Sequence, residues 1–179
     1  MNAPLTPTCT VPLDDLSGVI SLAHGEGGRL MRDLLRKEIV PLFNNEFLGS
    51  QGDAAVLPVL TGPPVFTTDS FVVSPRVFPG GDLGSLAVHG AVNDLAVAGA
   101  RPRWLSCSLI LEEGFPFAEL RRLLQSAAAA AHAAGVQIVA GDTKVVPRGA
   151  VDGLFMNTAG VGELMFPLPG PASLAVGDE

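Results

Sequence analysis

The sequence predicts an α+β domain, a mixed or largely antiparallel sheet with helices packed on one side. Apolar runs of strand length recur between turns rich in Gly and Pro. Two helical segments interleave with them, one built of small residues and one amphipathic. No Gly-x-Gly-x-x-Gly turn follows a first strand, so the signature of a doubly wound dinucleotide fold is missing. The 179 residues suit one domain, and folding at that length buries roughly 70% of the unfolded surface.

Met1 to Leu16 reads as a loose leader. Leu30, Leu34, Leu35 and Ile39 recur at helical spacing within Gly27 to Leu42, where Pro41 is expected to help end the helix. Phe43 to Gly52 reads as loop. Ala54 to Leu60 and Val65 to Val73 read as strands divided by the turn residues Thr61 to Pro64. Asp82 is a candidate N-cap for a helix from about Leu83 to Ala98, whose Gly and Ala content suits close packing on a sheet. Trp104 to Leu111 is a third strand. Pro116 opens a helix carrying Phe117, Leu120, Leu124, Ala127 and Ala131 on one stripe, and Gly135 stops it. Val136 to Ala140 and Leu154 to Val161 complete the expected strands.

Composition narrows the function classes. A formal net charge of −7 argues against a general nucleic-acid or anionic-membrane surface, because both reward clustered Lys and Arg. An acidic chain still holds phosphates where a divalent cation mediates. The 21 Gly and 15 Pro follow no repeat period and accompany 47% hydrophobic residues, so they indicate turns around a core rather than disorder. Cys9 and Cys107 lack partners at metal-site spacing, which speaks against a disulfide framework or a zinc site. Met1 to Gly28 carries neither the basic start nor the apolar run of a signal peptide, and the Ala-rich stretch Ser126 to Gly141 is too short to span a bilayer. Cytoplasm is the expected compartment.

Four acids stand among apolar or small neighbours: Asp53 in "GDAAVL", Asp69 in "TTDS", Asp94 in "VNDLAVAGA" and Asp142 in "AGDTK". Any one of them suits a turn or cap. Four in such settings suggest converging hard-oxygen ligands for magnesium, shared with a phosphate-bearing substrate. Asn93 adjoins Asp94 as a metal or phosphate contact, or as a polar residue serving a nearby loop, and His89 lies four residues earlier on the same helix face. "AHGEGGR", Ala23 to Arg29, leads into a helix; Gly25, Gly27 and Gly28 would let backbone N–H groups approach a phosphate, with His24 as a base or substrate contact. On a continuing strand Lys144 and Asp142 share a face. They are then either an ion pair or a lysine for phosphate beside an acid for metal.

The stretches "AHGEGGRLM", "TTDSFVVSPRVFPGGDLGSLAVHGAVNDLAVAGARPRWLSCSLILEEG", "GDTKVV" and "NTAGVGE" resemble an ATP-dependent superfamily. It includes aminoimidazole ribonucleotide synthetase, thiamine monophosphate kinase, selenophosphate synthetase and the HypE hydrogenase maturation factors, and the HypE branch is the nearer likeness. The resemblance runs from about Ile20 onward and covers the N-terminal half of the family's length. It implies a PurM-like N-terminal domain whose sheets pair across a homodimer, with ATP and Mg2+ bound near the interface. Asp53, Asp69, Asp94 and Asp142 match the family's metal and phosphate acids; Asn93, Thr143, Gly25, Gly27 and Gly28 fall to the nucleotide, and Lys144 and His24 to catalysis. The superfamily often carries two acids where this chain has Gly52-Asp53.

The implied activity is a carbamoyl dehydratase of [NiFe] hydrogenase maturation. A carbamoyl group received from the carbamoyltransferase HypF sits on a C-terminal cysteine, and ATP activates its oxygen. The thiocyanate formed supplies cyanide to iron on a HypC–HypD carrier. Neither Cys9 nor Cys107 matches that cysteine by position. The expected division is therefore a leader at 1–19, an ATP-binding domain at 20–167 and the start of a linker at 168–179, with the complete reaction beyond this chain. Another ATP-using superfamily member, or a dimerisation and docking module, are the competing expectations.

Overall fold

The computed structural model describes residues 18–49, 52–168 and 175–177. Most of the expected leader, with Cys9, and most of the expected linker lie outside them. Gly18 and Val19, the leader's last two residues, join the fold. Val19 bridges to Pro116, and the Gly18 carbonyl accepts from the Phe117 N–H at 3.2 Å.

A 3-10 turn, Leu22–Gly25, precedes a helical run made of Arg29–Leu34 (α1), a π turn at Leu35–Ile39 and Val40–Phe43 (α2). A short helix, Glu46–Gly49 (α3), follows. Then come Pro64–Phe71 (β1), Val77–Phe78 (β2), Gly81–Asp82 (β3), Leu83–Val97 (α4), Ala100–Glu112 (β4), Phe117–Ala134 (α5), Gln137–Val146 (β5) and Leu154–Leu164 (β6).

The main sheet has the order β1-β6-β4-β5. β6 is antiparallel to both neighbours, and β4 runs parallel to β5 across the α5 connection. The sheet is thus mixed, as expected. Helices α4 and α5 cover one face, and their Leu83, Ala87, Val88, Leu120, Leu124 and Ala127 close a core with Leu105, Leu109, Leu111 and Met156 of the strands. Thr158 fastens sheet to helix, its hydroxyl donating to the Ala87 carbonyl at 2.9 Å. The caps fall where the sequence puts them. Asp82 accepts from the Ser85 N–H, and Gly135 closes α5 in the left-handed region at φ 67°. Among the described residues no helix is long and apolar enough to cross a membrane.

Several expectations are corrected. Ala54 to Leu60 forms no strand; Val56 and Val59 are 91% and 97% exposed. β-branched residues make a strand only where a neighbour completes the ladder, and Pro58 lacks the N–H to do so. Pro41 does not end its helix. The run widens into the π turn, the Val40 N–H reaching the Leu35 carbonyl, and carries Pro41 through to Phe43. The expected loop from Phe43 contains α3, because the Asn45 side chain accepts from the Phe47 and Leu48 N–H groups, each at 3.1 Å. β5 does not stop at Ala140. Its parallel pairing with β4 continues through Ser108–Asp142 and Ile110–Lys144.

Candidate functional site

The second half of β5 delivers the Asp-Thr-Lys segment. Asp142 Oδ1 accepts from the Thr143 N–H at 2.8 Å, and Lys144 Nζ lies 3.1 Å from Asp142 Oδ2. Strand alternation puts both side chains on the open face of the sheet, where they are more than half exposed. An exposed pair of this kind contributes at most about 1 kcal/mol to stability. Thr143 points the other way and is buried.

The Gly-rich turn reaches the same strand. A side chain on Gly25 would put its Cβ 2.8 Å from the Val145 backbone nitrogen, so only glycine lets the turn lie this close to β5. Gly27 adopts φ +73° and Gly28 caps α1. His24 does not share their exposure. Its Nδ1 accepts from the Ser21 N–H at 3.1 Å, its ring meets Phe117 edge-on at 5.3 Å, and burial pushes its pKa down. It is a packed histidine, held by Ser21 and Phe117. Asp53 and Asp142 both line an apolar cavity of about 150 Å³ between the helical run, α5 and β5, and Thr143 lines it too.

The other two acids lie along the seam between β1 and α4. Thr67 Oγ1 donates to Asp94 Oδ2 at 2.8 Å, Asp69 Oδ1 accepts from the Ser70 N–H at 2.8 Å, and Asp69 Oδ2 is 3.6 Å from where a Cβ on Gly90 would stand. Asn93 and His89 are exposed on α4 nearby. The four carboxylates therefore fall in two places, Asp53 and Asp142 beside the β5 edge and Asp69 and Asp94 along the β1–α4 seam. Among the described residues no three acidic, His or Cys side chains come together to hold a metal. Asp69 pairs with Thr158 on the helix-covered face, whereas Asp142 belongs to a row on the open face, three strand spacings or about 14 Å away. Each pair offers hard oxygen donors. That set fits a cation completed by phosphate oxygens and water, not a cage made by protein alone.

Sequence reasoning missed two arrangements. Ser70, Asn157, Ser108 and Asp142 form one register row across all four strands of the open face. Asn157 stood in the quoted "NTAGVGE" without a role. Glu163 accepts from the Thr61 and Gly62 N–H groups, the Thr61 hydroxyl and Arg103, a node joining residues far apart in sequence.

The family profile described as AIR synthase related protein, N-terminal domain, matches residues 51–164. The chain is 53% identical over 150 residues to the carbamoyl dehydratase HypE of Bradyrhizobium diazoefficiens, a match covering 84% of this chain and 43% of the relative. Its fold is similar to a crystal structure of hydrogenase maturation protein HypE in complex with ATP, at TM-score 0.80 and 53% identity over 82% of this chain and 43% of that one. A crystal structure of a HypE–HypF complex matches at TM-score 0.58 and 49% identity, over 74% of this chain and 43% of that one. The chain spans less than half the length of these relatives.

Proposed function

The chain belongs to the family of AIR synthase related proteins, N-terminal domain, and from that premise we propose that it is the ATP-binding half of a carbamoyl dehydratase in hydrogenase maturation. In this reading residues 20–167 bind Mg2+-ATP and 168–179 lead toward a further domain. The reaction dehydrates a carboxamide carried on a cysteine elsewhere in the protein. An amide oxygen is a poor leaving group until phosphorylated, so ATP is consumed, phosphate departs with that oxygen, and a thiocyanate remains. Its cyanide goes to the iron of a [NiFe] hydrogenase.

The observation that carries the reading is the contact of Gly25 with Val145. It brings the Gly-rich turn against the strand that presents Asp142 and Lys144. Gly27 and Gly28 offer backbone N–H groups to phosphate. Asp142 and Asp53 would hold magnesium at one edge of the sheet, and Asp69 and Asp94, with Asn93 beside them, at the other; the metal neutralises phosphate charge. Lys144 is the residue for charge developing on the transferred phosphoryl group. Thr143 contributes through its backbone, which fixes the Asp142 carboxylate. His24, held by Ser21 and Phe117, shapes the turn rather than moving a proton. The partners in this reading are a second copy of the chain, HypF as carbamoyl donor and a HypC–HypD iron carrier, all in the cytoplasm.

Calorimetric titration of ATP into the chain, with and without magnesium, tests it. Saturable magnesium-dependent binding is expected, weakened about tenfold or more by Asp142→Asn, or about 1.4 kcal/mol. Unchanged affinity in that variant would remove Asp142 from the site. A second reading draws on the exposed apolar residues of the open sheet face, Phe66 at 68% and Ile110 at 38%. It makes the chain a dimerisation module, and dimerisation without any ATP heat would favour it.

A further inference from the structure

The two carboxylate pairs sit at opposite edges of the sheet, and one side chain links the Asp69 edge to the strands between. Ser70 on β1 pairs with Asn157 on β6, and Asn157 pairs with Ser108 on β4, itself the partner of Asp142 on β5. The Asn157 side-chain amide turns toward β1. Its Nδ2 donates to the Asp69 backbone carbonyl at 2.8 Å and to Ser70 Oγ at 2.9 Å. A carbonyl only accepts, so the group facing it is the amide NH2, and the side chain's orientation is fixed.

These two bonds matter because β1 is an edge strand. Among the described residues it has β6 on one side and no strand on the other, so within the sheet Asp69 and Ser70 are held from one side only. The Ser70 N–H is in turn the donor to Asp69 Oδ1 at 2.8 Å. Asn157 thus grips both ends of the peptide unit that aims the Asp69 carboxylate. Asp69 backbone oxygen, Ser70 hydroxyl and Ser70 N–H form one small network with Asn157 at its base.

We infer that Asn157 is a positioning residue for Asp69, holding the Asp69–Ser70 peptide so that the carboxylate faces the cation that accompanies ATP. This rests on the proposed Mg2+-ATP site. Asn157 touches neither nucleotide nor metal; it acts through Asp69. A residue of that kind affects the magnesium requirement of ATP binding more than the stability of the fold, and its effect disappears when the carboxylate is gone.

The test is a double-mutant cycle on ATP binding, titrated against magnesium in the 179-residue chain, with Asn157→Ala, Asp69→Asn and the two combined. Asn157→Ala is expected to raise the magnesium concentration for half-maximal ATP binding about tenfold. In the Asp69→Asn background it should add no further change. Asn157→Ser, whose single hydroxyl cannot serve both acceptors, should lie between and stands in should the alanine variant fail to fold. An unaltered magnesium requirement, or equal losses in both backgrounds, would overturn the inference and leave the ATP site intact. Absence of magnesium-dependent binding in the unchanged chain would overturn the site, and the inference with it.

Discussion

Glu163 shows how one side chain ties a distant segment to the sheet. It lies near the end of β6 with 7% of its side chain exposed. It accepts from the Thr61 hydroxyl, from Arg103 Nη2 at 2.8 Å, and from the N–H groups of Thr61 and Gly62, each at 2.9 Å. These donors, the Thr61 hydroxyl foremost and Arg103 next, hold its pKa down to about 2 from an ordinary 4.5. A carboxyl whose folded pKa is depressed contributes stability that is fully present above its unfolded value and is lost as pH falls toward the folded one. The chain should therefore lose stability between about pH 4.5 and pH 2 through this group. Glu163→Gln should be less stable at neutral pH and show a flatter acid limb over that window. Urea unfolding at a series of pH values reads both, and a variant with the parent's slope would show that the acid loss arises elsewhere.

At the scale of elements, the seam between α4 and α5 is set by one glycine. A Cβ on Gly84 would stand 2.0 Å from the Leu123 backbone carbonyl oxygen and 2.9 Å from its carbon. Backbone cannot swing aside as a side chain does, so the helices would have to separate over Leu120, Leu124 and Ala127. Gly84→Ala is expected to destabilise by about 3 kcal/mol, despite the better helix propensity of alanine, and equilibrium urea unfolding would measure it. An effect near zero would mean that the helices slide freely. These two helices were legible in the sequence because their signals are local: the Asp82 cap, the Gly135 stop, the stripe from Phe117 to Ala131. Ala54 to Leu60 carries equally good local signals, yet among the described residues no strand pairs with it. The acids illustrate the same limit. Spacing within β5 put Asp142 and Lys144 on one face, but nothing in the sequence gives the register between strands. That register sends Asp69 to the helix side and Asp142 to the open side.

At the scale of the molecule, one face of the sheet is covered by helices and, among the described residues, the other is not. Phe66 and Ile110 stand exposed on the open face, on either side of the polar row through Asn157. Asp53, Ala54, Ala55 and Leu57 line a cavity of about 270 Å³ with Phe66, Trp104, Ser106 and Ala140, so the coil segment crosses one end of that face. A two-fold partner uses the same patch on both copies. Laid across the open face with its two-fold along the strands, the proposed partner sets the β1 edge of one copy over the β5 edge of the other, so the edge that carries Asp69 and Asp94, on the helix side of β1, borders the edge that carries Asp142 and Lys144 of its partner. Neither pair alone fills a cation's shell, and the two pairs of one chain are too far apart to share it. Dimerisation is therefore expected to precede tight ATP binding. Phe66→Lys, which buries an unpaired charge only if that face is covered, should shift sedimentation from dimer to monomer and reduce the magnesium-dependent ATP heat with it. Mixing Asp69→Asn chains with Asp142→Asn chains should recover the parent's affinity, which neither variant reaches alone, because a mixed dimer keeps one site with both carboxylates. A monomeric Phe66→Lys variant that binds ATP as the parent does, together with no recovery on mixing, would place the site within a single chain and leave the open face without a part in it.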